Sequence, residues 1–212
     1  MPQPDDRRTR KRLATRQAIS NAATRLFIER GFDQVTVDEI AAAADVGRMT
    51  VFNHFLRKED MFFDRDEEGH AMLRAALRQR APGVAPLQAL RLLAHDLVAQ
   101  RSPAVEFSAR SQSFAAAVEA SETLKARARA IRDELARTVA EALAECAGRE
   151  SGDPDACLAG DLLLACWAAA FIEGHRVFRR SQDARQAQAA FLAIVDKGAV
   201  GLNAALAGTP YV

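Results

Sequence analysis

The sequence predicts an all-α protein, with a small three-helix head at the N-terminus and a larger helical bundle behind it. Three observations carry this. Ala, Leu, Arg and Glu dominate the 212 residues, while β-branched clusters bounded by turn dipeptides are scarce. Apolar residues recur at helical spacing. The chain is punctuated by a few short stretches, at Gly31, Ala81 to Pro86, Ser102-Pro103 and Gly152-Asp153-Pro154.

The first helix is expected from about Leu13 to Arg30, with Ile19, Ala22, Ala23, Leu26 and Phe27 as its apolar stripe. Gly31 then serves as a left-handed cap, and Phe32 folds back on the last turn. Thr36-Val37-Asp38-Glu39 is a capping box that opens the second helix, whose Val37, Ile40, Ala41 and Ala44 share one face. The third helix is short, about Arg48 to Phe55, with Gly47 at its cap. A long fourth helix follows, from Lys58 to about Arg80. Beyond the Ala81–Pro86 linker come helices at about Leu87–Arg101, Ala104–Val118, Ser121–Ala147, Ala156–Arg180 and Ala184–Ala207. The expected domains are residues 1–57 and 58–212.

Composition narrows the class. Apolar residues reach 49% and charged residues 27%, with a net charge of +1, as in an ordinary globular protein. Cys146, Cys157 and Cys166 form no C-x-x-C pair, and an odd count argues for a reducing compartment. No apolar run reaches the roughly 20 residues that span a bilayer, and the basic start has no apolar stretch behind it. A cytoplasmic protein without membrane contact is expected. The start itself, Arg7, Arg8, Arg10, Lys11, Arg12 and Arg16, contains no acid. It serves either as a flexible arm for phosphate or a minor groove, or as a solvated tail.

The stretch from Asp45 to Phe55 points to the function. With Val51 and Phe55 turned inward, a turn of about 100° per residue sends Met49 and Asn53 outward, flanked by Phe52 and Thr50. Thr and Asn hydrogen-bond base edges, Met and Phe touch thymine methyls, and Arg48 suits guanine O6/N7 or a phosphate. Two short helices joined by a tight turn, the second exposed, make a helix-turn-helix. The amide end of the second helix at Thr36, with His54 and Lys58, suits phosphate. Packed otherwise, Met49 and Phe52 would be simple core.

Residues 36–62, "TVDEIAAAADVGRMTVFNHFLRKEDMF", resemble the signature of the TetR family of transcriptional regulators, and the likeness extends over residues 10–63. The resemblance implies an all-α homodimer that binds a palindromic double-stranded operator and releases it on binding a small molecule. By position it implies phosphate contacts from Thr36, Thr50, His54 and Lys58, and base reading by Arg48, Met49, Phe52 and Asn53. Three residues depart from the signature. Asp45 replaces the usual turn glycine, a residue that tolerates the left-handed conformation at some cost. Gly47 replaces the capping serine, at a few tenths of a kcal/mol. Phe52 replaces tyrosine and removes a hydroxyl from the DNA face.

In the rear bundle Trp167, Phe171 and His175 share one helical face, aromatic with a titratable end. With Phe107 and Arg110 opposite, that face suits a small hydrophobic or aromatic effector; it suits a satisfied core or a dimer interface as well. The last two helices are apolar on more than one stripe, which points to a homodimer through them. A DNA-binding dimer without any ligand remains the alternative. An enzyme is not expected. Glu67-x-x-His70 has di-iron ligand spacing but lacks the second Glu-x-x-His such a site needs, and no nucleophile elbow, phosphate loop or zinc-finger spacing is present. No cofactor or metal is expected.

Overall fold

The structure, a computed structural model, describes residues 4–212, with nothing of the side chains of residues 4–6. Its regular structure is helical throughout: α1 (Pro4–Arg30), α2 (Val37–Ala43), α3 (Arg48–His54), α4 (Asp66–Arg78), α5 (Pro86–Ala99), α6 (Ala109–Ala120), α7 (Glu122–Ala147), α8 (Pro154–Ser181) and α9 (Ala184–Ala205). Short 3-10 turns lie at Phe32–Gln34, Glu59–Met61 and Pro103–Val105. The chain packs as two compact units. One is the segment ending at Arg65 together with Ala116–Ala128; the other is Asp66–Ala115 with Arg129–Val212.

Three helix starts differ from expectation. The basic segment is not a flexible arm: α1 runs unbroken from Pro4 to Arg30. Nothing between Asp5 and Leu13 breaks a helix, and proline is at home in a first turn. Residues 1–3 of the expected arm lie outside the described residues. The fourth helix starts at Asp66, not Lys58. Met61 and Phe62 are buried in the head, and the Met61 carbonyl accepts a hydrogen bond from Ser20 Oγ at 3.1 Å. That carbonyl and those side chains are committed to the head, so a straight helix cannot begin at Lys58. The sixth helix also starts late. Ser111 Oγ accepts from Ser108 N at 2.9 Å and Ser108 Oγ from Ser111 N at 3.2 Å, and this reciprocal cap sets the start of α6.

The head is built on the expected stripe. Ile19, Ala23 and Phe27 of α1 are buried with Ile40, Val51 and Phe55. Phe32 does fold back, its ring 4.9 Å from that of Phe27, and Gly31 has the left-handed φ of 85°. In the rear unit, Leu77, Leu90, Ala94, Leu143, Ala159 and Phe191 are among the buried residues. The C-terminal segment is part of that core. Tyr211 is fully buried, its hydroxyl donates to Asp153 Oδ1 at 3.0 Å, and its carbonyl accepts from Leu87 N at 3.1 Å.

Helix α8 is more apolar than the sequence reading allowed. By length and composition it could cross a bilayer. In the fold its Ala156, Leu163, Leu164, Trp167, Ala170 and Phe178 face the bundle core. It lies closely along α9, and Gly198 makes this possible: a Cβ there would meet Cys166 Sγ at 2.8 Å. Gly198 thus brings together two helices of one chain.

Candidate nucleic-acid interface

The turn between α2 and α3 fixes the exposed face. Thr36 caps α2: its Oγ1 accepts from Glu39 N at 3.3 Å, while the Glu39 carboxylate accepts from Thr36 N at 2.8 Å. Arg30 adds a 2.6 Å ion pair to Glu39. The Thr36 backbone bond first, then the Arg30 and Thr36 side chains, lower the Glu39 pKa to about 2. At the other end of α2, Asp45 takes the left-handed φ of 53°. Asp45 N donates to Ala42 O and Val46 N to Ala41 O, the paired bonds that close a helix with a left-handed residue. Gly47 is extended, φ −73° and ψ 150°, and gives α3 no side-chain cap.

These bonds orient α3 as expected. Val51 is fully buried, and Phe55 just past the helix nearly so. Met49 is 70% exposed and Phe52 38%. Arg48 and Asn53 are exposed too, and Thr50 and His54 half-buried. Arg16 on α1 secures the C-terminal end: its Nη1 donates to His54 O at 2.5 Å, and its guanidinium lies 4.1 Å from the centre of the Phe55 ring. Burial, then the charges of Arg12 and Arg16, push the His54 pKa down. Its imidazole is therefore mainly neutral at pH 7 when no anion is bound.

Lys58 has structural work that sequence reasoning missed. Its Nζ donates to Phe32 O at 2.8 Å and Val35 O at 3.0 Å, and sits 4.1 Å from the Phe32 ring centre. Burial lowers its pKa. Two of its three protons hold the turn before α2. Arg48 also has an unforeseen partner: its Nη1 donates to both carboxylate oxygens of Asp38, at 3.0 and 2.7 Å. Leu56, 89% exposed directly after α3, was passed over. A leucine where a helix ends was the available signal.

In the rear unit four of the five expected lining residues do meet, but as packing. The Phe107 ring lies 5.1 Å from His175 and 6.5 Å from Phe171. Phe191, which the sequence reading overlooked, sits at the centre, 4.9 Å from Phe171, 6.1 Å from Phe107 and 6.4 Å from Trp167. Phe107 also presses on Gly174, where a Cβ would collide with its ring. Arg110 does not join them; it is exposed in the first turn of α6. The space beside Trp167, bordered by Arg91, Cys166 and Asn203 among others, is about 10 Å3, room for one water. The Trp167 indole Nε1 is buried without a protein acceptor. His70 Nδ1 lies 2.7 Å from Thr138 Oγ1. Among the described residues no three metal-ligating side chains come together.

Known proteins share this head. Residues 19–64 match the family described as "Bacterial regulatory proteins, tetR family". The chain is 36% identical over 83 residues to the HTH-type transcriptional regulator TcmR of Streptomyces glaucescens, covering 39% of this chain and 37% of that protein. It is 47% identical over 57 residues to the HTH-type transcriptional repressor BepR of Brucella suis, covering 26% and 27%. The matched part thus spans well under half of these curated relatives. The whole fold is similar to that of FadR of Thermus thermophilus, a TetR-family transcriptional repressor solved with lauroyl-CoA. The TM-score is 0.52 with 26% identity, covering 88% of this chain and 92% of that one.

Proposed function

We propose that this chain, a TetR-family transcriptional regulator by its helix-turn-helix head, is a repressor that binds a palindromic operator as a homodimer and leaves it when a small hydrophobic effector binds. The observation that carries the reading is the outer face of α3. A helix that buries Val51 yet leaves Met49 70% and Phe52 38% exposed has a surface suited to base edges and thymine methyls. Arg48 and Asn53 supply hydrogen bonds there. Thr36, Thr50, His54 and the remaining proton of Lys58 hold phosphates and set the register. Arg7, Arg8, Lys11 and Arg12, exposed on the first turns of α1, add sequence-independent attraction.

Two half-sites require two heads. The exposed apolar side chains Leu158, Leu162 and Ile172 of α8 and Val200 of α9 favour the last two helices as the dimer face. Effector release rests on likeness to a repressor solved with lauroyl-CoA, and on the aromatic cluster around Phe191. A hundredfold loss of operator affinity needs about 2.7 kcal/mol of coupling, and the operator must weaken the effector by the same factor. One observation favours a dimer that works without an effector: the space beside Trp167 holds no more than a water.

The test is a salt titration of binding to duplex DNA. Log affinity falls with log salt at a slope near −0.9 per phosphate neutralised. Lys11→Ala weakens all duplexes alike and flattens the slope by about one, while Asn53→Ala relaxes the preference at one base pair. Equal binding of all duplexes by the unaltered protein would overturn the reading. For the effector arm, acyl and aromatic compounds are titrated while Trp167 fluorescence and operator release are followed. Release without a Trp167 response would place the effector elsewhere, and no release by any compound would favour the ligand-free dimer.

A further inference from the structure

We propose that Asp38 is a positioning residue for base recognition: it holds the Arg48 guanidinium so that one hydrogen-bonding edge is presented to a guanine. The inference rests on the reading of α3 as the recognition helix and adds to it a specificity determinant on α2. The two residues are ten apart in sequence and on different helices, joined by the turn through Asp45. Arg48 Nη1 donates to Asp38 Oδ1 at 3.0 Å and to Oδ2 at 2.7 Å. The guanidinium carbon also lies 5.5 Å from the centre of the Phe52 ring. A planar group held at one nitrogen and near an aromatic ring favours one orientation over others.

What remains free decides the chemistry. Both hydrogen bonds to the carboxylate leave from Nη1, so the Nε and Nη2 protons form the unspent edge of the fork. Two parallel N–H groups match guanine O6 and N7. A guanidinium already neutralised by a carboxylate is a poor point charge for phosphate, so the pair favours a base edge over the backbone. The carboxylate also answers a local problem. Arg48 occupies the first turn of α3, where a cation opposes the helix dipole and no acidic residue of α3 offsets it. Both side chains are well exposed, 59% and 62%, and such a pair adds little to folding. Its removal therefore leaves the head folded, and recognition can be read separately from stability.

The experiment measures affinities for duplexes that differ at single base pairs of a selected site, for the unaltered protein and for Arg48→Ala, Asp38→Ala and Asp38→Asn. Thermal melts verify that each variant is folded. Arg48→Ala identifies the base pair it reads, where preference falls about tenfold or more. Asp38→Ala loses charge and acceptors together, and its preference at that same base pair falls nearly as far. Asp38→Asn loses the charge but keeps one acceptor oxygen, and retains part of the preference. Both Asp38 variants bind unrelated duplexes more tightly, and by the same factor, because each removes one negative charge beside DNA. Full preference in Asp38→Ala would overturn the proposal. So would equal relaxation in both Asp38 variants, which would mean charge alone. A uniform loss in Arg48→Ala across all base pairs would make Arg48 a phosphate contact and end the proposal, leaving recognition by Met49 and Asn53 intact. If the unaltered protein discriminates no base pair, α3 is not a recognition helix at all.

Discussion

Asp45 and Gly47 stand two residues apart in the turn that aims α3, and the structure treats them differently. Asp45 occupies a left-handed position at φ 53°, and its backbone and that of Val46 close α2. Gly47 sits in an ordinary extended conformation, and a Cβ there would come no nearer than 3.9 Å to Thr50 Oγ1. Its lack of a side chain therefore meets no steric need and forgoes a cap. Gly47→Ser is expected to raise stability by a few tenths of a kcal/mol, read as a small rise in the midpoint of chemical unfolding. The inward Val51 and Phe55 and the outward Met49 and Asn53 were legible in the sequence, because helical periodicity alone fixes which side of α3 is which. The partners of Arg48 and Lys58 were not. Asp38, Phe32 and Val35 meet them only through the fold of the turns, and no spacing rule encodes that.

Among the elements, α2 was read correctly because its start is local chemistry. Thr36 and Glu39 form both bonds of the capping box, and Arg30 reaches the same carboxylate. The carboxylate has a folded pKa near 2 against an ordinary 4.5. A carboxyl depressed in the folded state stabilises it above the unfolded value, and that contribution is lost as pH falls through the folded one. The unaltered protein is therefore expected to lose stability between pH 4.5 and about 2 in part through Glu39. Glu39→Gln should show a smaller loss over that window, measured by thermal unfolding at stepped pH. An equal loss in both would mean the box contributes nothing to the pH dependence. The starts of α1, α4 and α6 were less legible for the opposite reason. The start of α4 at Asp66 depends on the Met61 carbonyl meeting Ser20 and on Phe62 packing in the head, both of them long-range events. The residues from Lys58 onward do not by themselves encode either contact.

For the whole molecule, the all-α architecture was legible from composition and spacing, while the state of the rear unit was not. The aromatic face of α8 reads as a lining for an effector or as core, and in the fold Trp167 and Phe171 pack against Phe191. An apolar face reads the same whether it borders a cavity or a neighbour. The outer side of α8 is a separate matter. Leu158, Leu162, Ala165, Ala169 and Ile172 are all exposed at alternating steps of four and three residues, the spacing of a helix-packing seam. A dimer through this face predicts that Ile172→Glu, at a position 69% exposed, leaves the monomer folded. Sedimentation at micromolar concentration should then show a smaller species, which binds a two-half-site duplex more weakly than the unaltered protein does. A dimer that survives the substitution would move the interface elsewhere.

The central claim is that the outer face of α3 touches DNA, and the methionines report on it directly. Four are present in the chain. Met49 stands on that face, 70% exposed, while Met61 is buried within the same head at 1%. Spectra of methyl-labelled methionine are recorded as a selected duplex is added, then as a scrambled duplex of equal length is added. The account predicts a large shift of the Met49 methyl, larger with the selected duplex than with the scrambled one, and a nearly still Met61. A Met49 signal that stays in place while the protein is fully bound to the selected duplex would contradict it.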